Sequence, residues 1–328
     1  MENLIIEDKE VEWDVIGIAV HGTVTAPKDD DTHPAVILVA GSGPTDRNWC
    51  TPYLPGTNGS GRLIAEGLAA KGFITIRYDK MASGPHAKEN IPKFTGRISM
   101  QTHMDELAGA VRAVIAETNA DRDALFALTN SEGAIHAVNY QLAAKDDRFR
   151  GLVLTGAPGR AVGDVGRSQI NDQIRSMPEA VTVMERYDKA ITEFLAEEPM
   201  VIDPSLPDGL KGVLHALENP CNRPFARELW NYSLPQFIAG IEEPVLVVIG
   251  KKDIQIDWRI DGGALEKAAV ERESVQFSFP ENANHVLKHE KAPRETLTAQ
   301  YVALHYNAPD AEIDHETVKI IVDWLERT

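Results

Sequence analysis

This sequence is poor in cysteine and has no long hydrophobic run, and each scarcity excludes a class of protein. Two cysteines in 328 residues, Cys50 and Cys221, are too few for a disulfide framework and form no C-x-x-C pair. No apolar stretch approaches the ~20 residues that cross a bilayer, and the acidic first ten residues hold no apolar signal-peptide segment. We therefore expect a protein of the reducing cytoplasm with no membrane partner.

Positive charge is also scarce. The chain has 33 Lys and Arg against 50 Asp and Glu, a formal net charge of −17. Nucleic acids and anionic membranes favour basic surfaces, because binding to a basic surface releases counterions from the polyanion. No nucleic-acid partner is therefore expected. An anionic small substrate remains compatible with this charge, because the field inside a cleft can oppose the net charge.

Strand-like and helix-like segments alternate through most of the chain. Residues 5–27 alternate apolar and polar positions, which predicts two antiparallel strands. The runs PAVILVAGSG (residues 34–43) and FITIRYD (73–79) are typical of strands covered on both faces. Segments with apolar positions at helical spacing separate such runs. This order predicts an α/β fold with a doubly wound, mostly parallel sheet.

The alternation stops near Gly159 and resumes near residue 236. Residues 159–235 are helical in pattern and contain no convincing strand. We therefore predict a core formed by residues 1–158 and 236–328 and an inserted helical cap, or lid, that folds over the strand ends. Six apolar cap residues either line an acyl pocket or pack the small core of the cap itself: Met177, Met184, Met200, Phe194, Phe225 and Trp230.

Ser131 follows the predicted strand ALFALTN and opens a helix. The stretch TNSEG is almost the G-x-S-x-G nucleophile elbow, but Thr129 replaces its first glycine, whereas Gly133 is in place. A sharp strand-to-helix turn exposes the serine hydroxyl and aims helix amides at developing negative charge. The alternative is that Ser131 only caps the helix. The local motif does not decide between these interpretations.

Two further strand ends carry an acid and a histidine. Asp253 ends PVLVVIGKKD, where a carboxylate could orient an imidazole, and Asp257 is its competitor four residues on. His285 follows the next strand in FPENANHVLK. His289 lies in a charged run and is expected to be solvated, and His136, within the elbow helix, is expected to be packed.

The glycine-containing loop AGSGPTDRNW (residues 40–49) follows an earlier strand. Its glycines allow close approach of the backbone to a ligand, and the amide of Ser42 could pair with that of Glu132 as an oxyanion hole. The loop matches neither G-x-G-x-x-G nor a Walker motif, and no H-E-x-x-H or other ligand cluster is present. Neither a metal nor an organic cofactor is expected.

Serine, aspartate and histidine thus occur in the chain order of one fold, each at the end of a candidate strand. With the motifs VAGSGPTDRN, ITIRYDKMASG, TNSEG, VLVVIGKKDIQIDW and NANHVL, the chain resembles the α/β-hydrolase superfamily, in particular bacterial serine hydrolases related to serine aminopeptidases and carboxylesterases. The resemblance covers roughly residues 15–158 and 236–328. Met81 and Ala82 replace the Arg and Gly of the usual RYDKRGSG motif, and Asn130 replaces the His of GHSEG.

The resemblance implies a nucleophile at Ser131, a general base at His285 and an orienting acid at Asp253, with backbone amides from Ser42 and Glu132. It implies hydrolysis through an acyl-enzyme, and an apolar lid over the site favours a carboxylesterase for short to medium acyl esters. An aminopeptidase or amidase, a C–C bond hydrolase and an inactive binding protein are the alternatives. The expected partner is a small-molecule ester, and a homo-oligomer is left open.

Overall fold

The computed structural model describes residues 4–328. Residues 1–3, part of the N-terminus on which the expectation of no signal peptide rests, lie outside the described residues. In chain order the strands are β1 (Ile6–Val15), β2 (Ile18–Pro27), β3 (His33–Val39), β4 (Ile74–Tyr78), β5 (Ala120–Asn130), β6 (Gly151–Thr155), β7 (Val245–Val248) and β8 (Val275–Ser278). They form one sheet in the order β1-β2-β4-β3-β5-β6-β7-β8.

Only the first strands of this sheet run antiparallel to their neighbours. β1 pairs with β2 and β2 with β4 in antiparallel fashion, and the pairs from β4 to β8 are parallel. The two N-terminal strands join through Ile16 and Gly17, both with positive φ (50° and 82°), as a two-residue hairpin turn requires. The prediction of a mostly parallel α/β sheet is confirmed.

Helices cover both faces of the sheet. They are α1 (Ser60–Ala69), α2 (Ala87–Phe94), α3 (Met100–Glu117), α4 (Gly133–Ala143), α5 (Val162–Ile174), α6 (Ala180–Leu195), α7 (Asp208–Glu218), α8 (Arg223–Trp230), α9 (Pro235–Ile238), α10 (Ile260–Ala268), α11 (Ala299–His305) and α12 (His315–Arg327). α1 and α12 pack on one face, and α3, α4 and α10 on the other, because alternate strand residues point to opposite faces. The fold is therefore doubly wound.

Helices α5 to α9 lie between β6 and β7. Residues of α5, α6 and α7 form an apolar cluster of their own, which includes Ile174, Tyr187 and Leu214. An antiparallel bridge between Ala161 and Ser233 brings the two ends of this segment together. The segment therefore enters and leaves the sheet at one place. The domain boundaries at residues 159 and 235 stay a prediction.

The sequence pattern did not predict two short helices. α2 contains Pro92, which disrupts a helical pattern, and α11 has only seven residues. Elements this short are stabilised by tertiary packing more than by propensity. Among the helices of residues 4–328, none combines the length and apolarity of a membrane span.

Candidate active site

Ser131 lies at a tight turn between β5 and α4. Its φ is 53°, in the left-handed region that non-glycine residues rarely adopt. Its amide donates to the carbonyl of Thr155 (2.8 Å), and its own carbonyl accepts from the amide of Ala134 (3.0 Å). Backbone strain of this kind persists only where the surrounding structure holds it. The hydrogen bonds of the turn therefore hold Ser131 in this left-handed conformation.

The two small-residue positions of the elbow motif differ in what surrounds them. A Cβ at Gly133 would lie 2.5 Å from the carbonyl oxygen of Val39, so only glycine fits there without movement. Thr129, in contrast, is fully buried within β5. Its hydroxyl donates to Val153 O (3.2 Å), and its carbonyl accepts from Thr155 Oγ1 (2.6 Å). The sheet thus accommodates Thr129 and satisfies its polar groups.

Asp253 and His285 are in direct contact. His285 Nδ1 and Asp253 Oδ2 are 2.8 Å apart, and both side chains are buried. The other oxygen, Oδ1, accepts from the amides of Gln255 (2.7 Å) and Ile256 (2.9 Å). This carboxylate therefore has fixed donors on both oxygens and holds the imidazole by Nδ1. The nitrogen left for proton transfer is Nε2.

The competing residues have other partners. Asp257 Oδ2 accepts from Arg294 Nη2 at 2.9 Å. His289 Nδ1 lies 2.8 Å from Asp314 Oδ1, and its side chain is 40% exposed. His136 is buried on α4 and packs as expected. The structure thus brings Asp253, and not Asp257, to the histidine that follows β8.

Ser131 and His285 line the same cavity, of about 600 Å³, at the carboxyl ends of the parallel strands. The glycine loop after β3 contributes Gly41 and Ser42 to this cavity, and the elbow contributes Glu132. Within residues 4–328, no backbone or side-chain acceptor is bonded to the amide of Ser42 or Glu132. Both amides therefore remain available to a ligand oxygen.

The helices between β6 and β7 supply a mostly apolar wall of the cavity, which includes one of the six apolar candidates. Of the six apolar candidates only Trp230 lines the cavity. Met184 and Phe194 pack inside the helical segment, Phe225 packs in the main core, and Met177 is exposed. α5 and α7 supply the wall instead, through Val162, Val165, Ile170, Ile174, Leu210 and Val213.

The long segment after His285 also reaches the cavity. Val286, Tyr306 and Asn307 lie in its lining. Asn307 is tied to the loop before α1, since its carbonyl accepts from the amide of Asn58 at 3.4 Å. The pattern of this segment carried no signal for this role, because its contacts are with residues some 250 positions earlier.

A buried charged network lies behind the elbow. Lys80 Nζ is 3.5 Å from Glu132 Oε1, which is 3.1 Å from His136 Nε2. The rings of His136 and His103 are 4.7 Å apart, and His103 Nδ1 lies 2.8 Å from Glu106 Oε2. Lys80 stands in the motif ITIRYDKMASG, where sequence reasoning assigned it no role.

This environment sets the protonation of two members of the network. Burial raises the pKa of Glu132, but the charge of Lys80 and the hydrogen bond from His136 outweigh it and hold that pKa well below its usual range. Burial lowers the pKa of His136 to about 4. At neutral pH a neutral His136 therefore donates to an ionised Glu132.

Among the described residues, no group of three or more His, Cys, Asp or Glu side chains could hold a metal ion. Cys50 and Cys221 are both free thiols.

The chain is similar in sequence to a known esterase and similar in fold to several solved structures. No family model matches the chain. The esterase EstD of Thermotoga maritima is 26% identical over 276 residues, which are 84% of this chain. The chain spans about 60% of the length of that curated relative.

Two solved structures cover almost the whole chain. They are the proline iminopeptidase of Mycobacterium smegmatis (TM-score 0.55, 15% identity, 97% of this chain and 98% of that one) and the α/β hydrolase GrgF of a Penicillium species (TM-score 0.55, 15% identity, 98% of each chain). At this identity the likeness shows a shared fold.

Proposed function

We propose that this chain, which shares its fold with α/β hydrolases, is a serine hydrolase, and specifically a carboxylesterase that cleaves short to medium acyl esters. One observation carries the proposal. His285, held by the buried Asp253, lines the same cavity as Ser131, whose backbone has the positive φ of an elbow nucleophile.

In the proposed first step, the Ser131 hydroxyl attacks the ester carbonyl and His285 Nε2 takes its proton. Asp253 stabilises the imidazolium that forms and keeps the ring oriented. The negative charge on the former carbonyl oxygen is held by the amides of Ser42 and Glu132. Donors of this kind are each worth roughly 3–4 kcal/mol in the barrier.

In the second half of the cycle, His285 gives its proton to the leaving alcohol and an acyl-enzyme on Ser131 remains. His285 then takes a proton from a water molecule, which attacks the acyl carbon. The same two amides hold the second oxyanion, and collapse returns the carboxylic acid and the free serine.

The cavity lining favours a neutral ester over a peptide with a free amino terminus. Binding an ammonium group needs a carboxylate, and Glu132, the one carboxylate among the lining residues, is already engaged by Lys80 and His136. The acidic cap residues Glu197 and Asp203 pair with arginines outside the cavity. The sequence similarity to an esterase supports the same choice.

The proposed partner is accordingly a small-molecule ester. We propose the cytoplasm as the location, since both cysteines are free thiols, as a reducing compartment requires. Amide and C–C bond hydrolysis by the same residues, and an inactive binding protein, remain the alternatives.

The test uses a fluorophosphonate probe and a panel of p-nitrophenyl esters with acyl chains of two to twelve carbons. An activated serine reacts with the probe, whereas a serine that only caps a helix does not. We expect the wild-type protein to be labelled and to hydrolyse the shorter esters. Ser131→Ala should lose both properties, and His285→Ala should lose turnover, while both variants keep their circular dichroism.

The matched control is Ser60→Ala, which removes a buried hydroxyl that has no partner in residues 4–328. It should keep the wild-type rate. Full activity in Ser131→Ala or His285→Ala would end the assignment. Turnover of aminoacyl anilides in preference to all esters would instead favour the peptidase alternative.

A further inference from the structure

We infer that Lys80 is a positioning residue that orients both amides of the oxyanion hole. The inference rests on the proposed serine hydrolase function, for which it supplies a component that touches no substrate. Lys80 follows β4 and is 6% exposed, which is rare for a lysine. Its ammonium contacts one atom from each of the two loops that carry the amides.

The first contact fixes the amide of Ser42. Lys80 Nζ donates to the carbonyl oxygen of Gly41 at 2.5 Å. That carbonyl and the Ser42 N–H belong to one planar peptide unit, in which the two groups point in opposite directions. Because the Lys80 ammonium binds the Gly41 carbonyl oxygen, the Ser42 N–H points away from Lys80. Ser42 lines the cavity, and the inference assigns this N–H to the proposed oxyanion.

Gly41 is also close to the nucleophile. A Cβ built at Gly41 would lie 3.2 Å from Ser131 Cβ and 3.1 Å from Asn130 Oδ1. A rotation of the Gly41 carbonyl would therefore occur directly beside the reacting serine. The bond from Lys80 opposes that rotation.

The second contact concerns the other amide. Glu132 donates its backbone N–H to the proposed oxyanion, while its side-chain Oε1 lies 3.5 Å from Lys80 Nζ and 3.1 Å from His136 Nε2. Lys80 thus joins the glycine loop to Glu132, the residue that immediately precedes α4. The buried ammonium of Lys80 therefore fixes the amides of Ser42 and Glu132 relative to each other.

The charge of Lys80 also strengthens the Ser42 donor. A carbonyl that accepts from an ammonium becomes more polarised, and the N–H of the same peptide unit becomes a better donor in turn. The effect is larger in a buried site, where the effective dielectric is low.

A simpler role for Lys80 must be distinguished from this one. Lys80 could merely neutralise Glu132, whose carboxylate would otherwise be a buried unpaired charge. The charged and titratable groups that surround Glu132 are Lys80, His136 and His103, and Glu106 follows beyond His103. A role in neutralisation requires only the charge of Lys80, whereas a role in positioning requires its bond to Gly41.

Two variants separate these roles. Lys80→Met removes the bond to Gly41 and leaves Glu132 uncompensated. The double variant Lys80→Met/Glu132→Gln removes both charges, keeps the backbone amide of residue 132 and remains testable if the single variant fails to fold. Val114→Ala, a core change in α3, serves as a stability control with a lowered Tm and an unchanged kcat.

Each protein is assayed with p-nitrophenyl butyrate and with an alkyl trifluoromethyl ketone. Addition of the Ser131 oxygen to this ketone breaks the carbonyl π bond and creates an oxyanion, while the serine proton passes to His285. The inhibition constant Ki therefore reports the oxyanion hole, and KM reports binding of the ester itself.

We expect Lys80→Met and the double variant to lose kcat by about 10- to 100-fold, a part of the 10²- to 10³-fold that loss of an oxyanion donor costs. KM should change less than about 3-fold, and Ki should rise by the same factor by which kcat falls. The double variant should regain the wild-type Tm without regaining kcat.

If the double variant recovers both the wild-type kcat and the wild-type Ki, Lys80 only neutralises Glu132. That result would overturn the positioning role and leave the proposed hydrolase function standing. A wild-type protein that neither hydrolyses esters nor loses activity on Ser131→Ala would overturn the proposed function, and the inference with it. The two failures are therefore distinguishable within one set of proteins.

Discussion

Asp253 and Asp257 are four residues apart on the same loop, but their carboxylates have different partners. Asp253 is fully buried against His285, whereas Asp257 accepts from Arg294 and from two amides at the start of α10. A carboxylate that only caps a helix has no effect on the tautomer of a distant imidazole. The role of each aspartate therefore depends on its contacts and not on its place in the loop.

Asp253→Asn should lower kcat by about 10³- to 10⁴-fold, since an amide nitrogen facing His285 Nδ1 favours the wrong tautomer. Asp257→Asn, the matched control, should stay within about 3-fold of the wild-type kcat. Steady-state kinetics on p-nitrophenyl butyrate measure both values. A larger loss for Asp257→Asn would transfer the role to that residue.

At the scale of elements, the site depends on the close packing between the turn that carries Ser131 and the end of β3. The N-terminal turn of α4 lies against the end of β3, where a Cβ at Gly133 would meet the carbonyl oxygens of Val39 (2.5 Å) and Ala40 (2.9 Å). Thr129 lies four residues earlier, inside the sheet, where its hydroxyl donates to the carbonyl oxygen of Val153 on β6. The motif is thus strict at the position that faces β3 and tolerant at the position inside β5.

Gly133→Ala should destabilise the protein by about 1–3 kcal/mol, because an overpacked backbone contact must open. It should also lower kcat at least tenfold, since the elbow moves with the helix. Gly263→Ala in α10 is the matched control, because nothing lies within 4 Å of its added Cβ. That change should be neutral or stabilising by up to about 1 kcal/mol. Urea unfolding gives both free energies, and equal stabilities for the two variants would refute the packing argument.

At the scale of the whole molecule, the cavity is assembled from five distant parts of the chain. The glycine loop, the elbow, the helices between β6 and β7, the loop after β7 and the segment after β8 each supply part of the lining. Gly166 of α5 faces this space, and a Cβ there would have its nearest contact at 3.7 Å, with Trp230. Its lack of a side chain leaves this part of the cavity open.

Gly166→Leu should therefore shorten the preferred acyl chain. We expect kcat/KM for a p-nitrophenyl octanoate to fall at least tenfold relative to the acetate, because the new side chain occupies the volume of several methylene groups. Gly212→Leu, an exposed position in α7 with no atom within 4 Å of its Cβ, is the control and should leave the ratio unchanged. An unaltered chain-length profile in Gly166→Leu would show that acyl chains bind elsewhere.

Local pattern was sufficient to predict the parallel sheet, the helices between β6 and β7 and the strand ends that carry Ser131, Asp253 and His285. These features depend on hydrophobic periodicity and on residues adjacent in the chain. The contact of His285 with Asp253 and not Asp257, which only the family resemblance favoured, the residues of α5 and α7 that line the cavity, and the contact of Lys80 with Gly41 depend on the tertiary structure. Each of these is a contact between side chains or peptide groups far apart in sequence, whose direction periodicity does not encode.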